Sequence, residues 1–255
     1  MIREERNDYI AELYVKTNEF NSFGKEFFLE LRELLKKLSL DRKVKAVIFS
    51  SDNEKYFSKG FNPEFFIGKS REEIFEGVSL AVNVSHEALF FSKPVIAAVN
   101  GHAFGVGAVL ALYSDYKIMI QKKPRISFPE SLIGLNFPGV TAYVLTQSVG
   151  LKTARELLYT GKMVKAEEAM NIGLIDETAL DEKDLLERAR KYCRTFKDMA
   201  MESVTGLKSG ILEQVRHFAS VNLERDIQGL SDAVSSSNGQ EGLRSIHENR
   251  RPVFK

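Results

Sequence analysis

One stretch, Lys93 to Asp115, reads KPVIAAVNGHAFGVGAVLALYSD and constrains the fold more than any other. Pro94 opens an apolar, β-branched run, Val95 to Val99, of strand length, which predicts a buried strand. Asn100-Gly101 ends it with turn chemistry. Gly105 and Gly107 flank Val106, and the apolar residues Ala108 to Tyr113 predict a helix. A strand, a glycine turn and a helix start leave backbone N–H groups without partners at one point. Glycine lets a ligand reach that backbone closely. Negative charge is expected to be bound, or to develop, there. Two phosphate-binding loops are excluded. The dinucleotide fingerprint needs a third glycine where Leu110 stands, and this stretch holds no Gly-Lys-Ser/Thr.

The rest of the chain predicts an α/β fold with a helical end. Strands are expected at Tyr9–Val15, Val44–Phe49, Tyr116–Ile120, Arg125–Phe128 and Leu174–Asp176. Phe27, Phe28, Leu31, Leu34, Leu35 and Leu38 recur at helical spacing, with Asn21 or Ser22 as the expected cap. Helix is expected over Arg71–Phe91, from Val140, over Thr153–Tyr159 and over Ala166–Asn171. From Asp181 onward only helical spacing appears, and the change of character falls near residues 195–200.

Composition removes several functions. Of 255 residues, 44% are hydrophobic and 28% charged, which is ordinary for a globular protein with a sizeable core. A formal net charge of +1 provides no electrostatic footprint for nucleic acid. The single cysteine, Cys193, excludes an internal disulfide and a cysteine-rich zinc site, and no His/Cys/Asp/Glu spacing predicts a metal. No apolar run has membrane-spanning length. The mixed charges of MIREERNDYI do not resemble a signal peptide, and the last residues are not Ser-Lys-Leu, so a cytoplasmic location is expected.

Glu130 follows Pro129 among Ile126, Phe128, Leu132, Ile133 and Leu135. The residues alone leave it either a solvated loop carboxylate or a partly desolvated base of raised pKa. His102 in the glycine turn has no evident partner and reads as a structural histidine, and Asp115 as an acceptor for backbone donors.

The run KPVIAAVNG-x-A-x-G-x-G closely resembles the signature of the crotonase superfamily, the enoyl-CoA hydratase/isomerase family. Further stretches resemble the family in order: Phe57-Ser58-Lys59-Gly60-Phe61; Phe128-Pro129-Glu130 with Gly134; Thr160-Gly161 with Ala166, Ala169 and Gly173-Leu174-Ile175; and Glu241-Gly242 with Glu248 to Phe254. The resemblance implies a crotonase-like spiral of ββα units over residues 1–197. It implies a C-terminal helical oligomerisation region over 198–255, assembling a homo-trimer or hexamer. It implies a coenzyme A thioester as substrate, with no separate cofactor. The amides of Phe61 and Val106 are then the expected oxyanion-hole donors, and Glu130 the catalytic acid/base. Lys59, Gly60, Gly105, Gly107, Val109 and Asn136 are expected against substrate, with Tyr143 as a further acyl-pocket candidate. Lys59, Arg250, Arg251 and Lys255 are candidates for the coenzyme A phosphates. A β-branched residue at Gly107 is expected to lower activity without unfolding the chain.

The chain departs from the family's hydratases at one decisive place. They hold a water between two glutamates, and the first of these falls on Val109. The second base of the family's dienoyl-CoA isomerases falls on Pro138. One base suffices to move a double bond from 3-enoyl-CoA to 2-enoyl-CoA, which makes isomerisation the leading expectation. The alternatives are an enoyl-CoA hydratase of fatty-acid oxidation, a thioester hydrolase or decarboxylase, and, from another class, a non-catalytic acyl-CoA-binding scaffold.

Overall fold

Paired short strands, each pair followed by a helix, organise the computed structural model, which describes residues 1–255. β1 (Ile2–Asn7) and β2 (Ile10–Val15) form a hairpin that leads into α1 (Lys25–Leu40). β3 (Ala46–Ser51) and β4 (Tyr56–Ser58) precede α2 (Arg71–Leu89). β5 (Val95–Val99) and β6 (His102–Phe104) precede α3 (Val106–Leu112). β7 (Tyr116–Ile120) and β8 (Ile126–Ser127) precede α4 (Gly139–Thr160), which is broken at Gly150. From β3 onward, the first strand of each pair joins one sheet and the second joins another. With β9 (Glu177–Ala179), the sheets run β1-β2-β3-β5-β7-β9 and β4-β6-β8. Every neighbour is parallel except β1 and β2. This is the ββα spiral that the family resemblance implied.

Strands β2 and β3 are buried along their whole length and β5 over four of its five residues. Parallel strands covered on both faces read as continuous apolar runs for this reason. Helix α1 buries Phe27, Phe28, Leu31, Leu35 and Leu38. Ser70 and Glu73 close a reciprocal capping box at the start of α2.

Several boundaries differ from expectation, each for a physical reason. Strand β1 is missed by hydropathy because Arg3, Glu4, Glu5 and Arg6 face solvent at a sheet edge, where charge discourages further pairing. The N-cap of α1 is Gly24, not Asn21 or Ser22. Asn21 is instead buried with φ 48°, and its amide donates to the Phe57 carbonyl at 2.6 Å and to Ser51 at 3.0 Å. Residues 174–176 are a connection, with Leu174 and Ile175 buried in the core, and the strand follows them as β9. Strand β6 fits between the Asn100-Gly101 turn and α3, where three residues carried no periodic signal.

After α5 (Ala166–Asn171) come α6 (Glu182–Arg194), α7 (Met201–Ile211), α8 (Glu213–Ser235) and α9 (Ser237–His247). Helix α6 packs on the large sheet, where Arg190 forms a two-pronged ion pair with the buried Glu12. Helix α7 is pinned by Lys208, whose ammonium donates to the Lys93 carbonyl and to Asp115. Helices α8 and α9 return to the body of the chain: Ile227, Leu230, Val234 and Leu243 pack with Phe66, Ile74, Val78, Val82 and Leu135. No helix is long and apolar enough to cross a membrane.

Candidate active site

Two glycines on neighbouring strand ends make the floor of the site. Gly60 (φ 98°) follows β4 and Gly105 (φ 52°) follows β6, and both conformations favour glycine. A Cβ on Gly60 would lie 3.1 Å from the Phe104 carbonyl oxygen and 3.7 Å from the Gly105 Cα, so the two segments pass in contact. Each glycine is followed by one of the expected oxyanion donors. The Phe61 N–H donates to no protein acceptor. Val106 is the first residue of α3, where N–H groups have no intrahelical partner. Its valine side chain is compatible with that role because Gly105, not Val106, takes the positive φ.

Gly107 acts otherwise than expected. Its φ is not positive, and a Cβ there would sit 2.5 Å from the Ser58 Cβ. The residue allows α3 to lie directly on β4; it supplies close approach rather than flexibility, and a larger side chain would disturb the fold.

Glu130 begins a single turn of 3-10 helix, Glu130–Ile133, whose left-handed end is Gly134. The carboxyl faces the glycine floor: a Cβ on Gly105 would lie 3.5 Å from its Oε1. Its Oε2 is buried without a hydrogen-bond partner. Burial pushes the carboxyl up from 4.5 to about 7. Of the two readings the residues left open, the desolvated carboxyl is the one present.

A single pocket joins these groups. Lys59, Gly60, Phe61, Gly105, Val106, Val109, Glu130 and Asn136 all border it, and Glu130 is the one carboxylate among the lining residues. Val109 is 7% exposed and places an apolar side chain at the position where the resemblance puts the first glutamate of the hydratases. Leu230, Leu243 and Ile246 from α8 and α9 close the far side. The Lys59 ammonium lies 4.2 Å from the centre of the Phe20 ring. The Asn136 amide donates to the Gly229 carbonyl at 3.1 Å, tying the pocket wall to α8.

Other candidates lie elsewhere. Tyr143 stacks on Phe218 at 4.8 Å and does not border the pocket. Arg250 is held by Glu241 and Glu248, and only the backbone N–H of Lys255 is engaged, by Asn238; Arg251 is exposed. His102 Nδ1 accepts from the Arg125 N–H at 3.1 Å, a structural role. Asp115 accepts from the Val95 N–H and from Lys208 at the rim of the sheet.

Among the lining residues that the sequence did not single out are His86, Tyr113 and Thr141. His86 lies at helical spacing with Val82 and Leu89 on the buried face of α2. A lone histidine on such a stripe was the available signal.

The family model described as "Enoyl-CoA hydratase/isomerase" matches residues 5–255. A crotonyl-CoA hydratase of Syntrophomonas wolfei is 29% identical over 255 aligned positions, covering 98% of this chain and 96% of its own. A carnitinyl-CoA dehydratase of Salmonella typhi is 25% identical and covers 98% of this chain and 96% of its own. Among solved structures, human mitochondrial delta3-delta2-enoyl-CoA isomerase superposes with a TM-score of 0.92 at 21% identity, covering 97% of each chain. An enoyl-CoA hydratase of Bacillus halodurans superposes at 0.88 with 20% identity, over 96% of this chain and 99% of that one. These two likenesses concern the fold. With its ββα spiral, its glycine floor and a family match over nearly all its length, this chain is an acyl-CoA enzyme belonging to the enoyl-CoA hydratase/isomerase family.

Proposed function

We propose that the chain moves a carbon–carbon double bond, converting a 3-enoyl-CoA to the conjugated 2-enoyl-CoA. The observation that carries this reading is a single buried carboxyl, Glu130, in a pocket where Val109 offers no second acid. The thioester oxygen is taken by the N–H groups of Phe61 and Val106. Glu130 removes a proton from C2, and the electron pair moves onto the thioester oxygen as an enolate. The two amides hold that charge, and one such donor is worth ~10²–10³ in rate in a well-studied hydrolase. Glu130 then returns the proton at C4, so atoms and charge balance with no other reactant. A carboxyl with a pKa of about 7 is suited to take and return a proton near neutral pH. Desolvation by the walls from α8 and α9 strengthens both steps.

Hydration is the second reading, and the names of relatives such as the crotonyl-CoA hydratase favour it. It would require one carboxyl to hold and activate water alone, at a typical cost of ~10²–10⁴ for a missing acid–base group. A non-catalytic scaffold has no use for an unpaired buried carboxyl, which lowers stability. Assembly as a homo-trimer or hexamer belongs to the same proposal. Leu207 and Ile211 on α7 and Val221 on α8 are 66%, 78% and 67% exposed, apolar surface for neighbouring copies to cover. The deciding experiment follows purified protein with 3-enoyl-CoA and 2-enoyl-CoA substrates. Faster consumption of the 3-enoyl thioester, with 2-enoyl-CoA as product, is expected. Faster hydration of the 2-enoyl thioester would overturn the reading.

A further inference from the structure

The pocket has a second polar end that the reaction at Glu130 does not use. His86 is 7% exposed, borders the pocket, and its Nε2 is buried without a partner. The ring of Tyr113 lies 6.5 Å from the imidazole, centre to centre. The Tyr113 and Thr141 hydroxyls share one bond of 2.5 Å and have no other side-chain partner. Two hydroxyl protons serve one bond there, so one O–H is left to donate. Tyr113 and Thr141 are 5% and 2% exposed and both border the pocket. An unpartnered buried imidazole nitrogen and a spare hydroxyl donor thus belong to residues that line the same pocket, and unmade hydrogen bonds of this kind are costly.

Tyr113 caps α3, and at 1.5 Å per residue it stands about 10 Å along the axis from Val106. An acyl chain whose thioester oxygen sits at the Val106 amide reaches this end with its tail. The pocket lining also includes the apolar side chains of Val82 and Val109. Burial lowers the His86 pKa from its ordinary value, so the imidazole is neutral at neutral pH, and the nearby charge of Asp226 opposes only part of that effect. A tail carboxylate would meet no cation there and would share the neighbourhood with Asp226, which is already engaged by the Val140 N–H. A hydroxyl both donates and accepts, so it can satisfy the imidazole and the spare O–H together.

We propose that this end of the pocket recognises a hydroxyl on the tail of the acyl chain, and that the substrate class is medium-chain acyl-CoA thioesters hydroxylated away from the reacting carbons. The inference rests on the acyl-CoA reading of the Glu130 pocket, and it separates from that reading by experiment. Saturated ligands bind without reacting, so calorimetric titration with unsubstituted acyl-CoAs from hexanoyl to dodecanoyl, and with their ω-hydroxy counterparts, isolates recognition from chemistry. At the best-fitting length the hydroxylated ligand is expected to bind roughly tenfold tighter, the worth of making hydrogen bonds otherwise left unmade. His86→Leu should erase that preference, so that the two ligands bind the variant alike, and His86→Gln should retain part of it. Equal binding of the two ligands to the wild-type protein at every length, or an undiminished preference in His86→Leu, overturns the inference while the reaction at Glu130 stands. Binding of neither series overturns the acyl-CoA reading and this inference with it. If the variants fail to fold, the wild-type comparison decides alone. A polar end that merely holds ordered water predicts the equal-binding result.

Discussion

Replacing Glu130 with glutamine should remove a function and a pH-dependent instability together, because both have one cause. The carboxyl is raised from 4.5 to about 7 by burial, and its Oε2 has no partner. At about 1.4 kcal/mol for each tenfold in proton affinity, this rise is worth roughly 3 kcal/mol. The sign follows from proton linkage. Below pH 4.5 folded and unfolded chains both hold the proton, and the group costs nothing. Between 4.5 and about 7 the unfolded chain releases it while the folded chain keeps it, so stability falls as pH rises. Above about 7 the full loss is present. Glu130→Gln cannot titrate, so the stability of the variant relative to wild type should climb by roughly 3 kcal/mol across this window. Urea unfolding of both proteins from about pH 4.5 to about pH 8, at one protomer concentration, measures the difference. Titration of every other carboxylate cancels in the subtraction. In the same variant, isomerisation should fall by ~10²–10⁴ with acyl-CoA binding retained. A stability difference that is flat with pH would show that Glu130 is solvated, and the argument for it as a desolvated base would fail. Undiminished turnover in the variant would refute its role directly.

Four further outcomes follow from the same geometry. The kcat/KM of isomerisation by the wild-type protein should rise with pH through about 7 and then level off, as Glu130 loses its proton; a profile flat from about pH 5 to 8 excludes it as the base. Val109→Glu should gain measurable hydration of 2-enoyl-CoA by supplying a second carboxyl beside the pocket, whereas Val109→Ala should not; no gain in a folded, substrate-binding Glu variant defeats the two-carboxylate argument. Gly107→Ala should destabilise the chain by roughly 1–3 kcal/mol through overpacking against Ser58, read as a lowered thermal midpoint, and an unchanged midpoint would contradict the close approach. Sedimentation or light scattering at micromolar concentration should give the mass of three or six chains, and a monomer would show that Leu207, Ile211 and Val221 are simply exposed.

The α/β character was legible because parallel strands buried on both faces must be continuous apolar runs, as in Val95–Val99, and because α1 repeats its phenylalanines and leucines at the period of a helix, whereas the spiral itself was implied by the family resemblance. At the site, the residues themselves pointed to the glycine turn at Gly105 and the helix start after it; Gly60, and Phe61 and Val106 as oxyanion donors, came from the family resemblance. Charge hid β1, since an edge strand has no hydrophobic face to betray it. The boundary of β9 was lost because Leu174 and Ile175 are as buried in a connection as they would be in a strand. The environment of Glu130 is a property of tertiary structure. Its carboxyl is desolvated by a pocket whose walls come from α2, α3, α8 and α9, separated in sequence by more than a hundred residues. The same holds for His86, Tyr113 and Thr141, which come from three helices and carry no shared motif. Local sequence determined which backbone amides stand free; long-range packing decided which side chains lose water around them, and so which carboxyl is raised and which polar groups are left waiting for a partner.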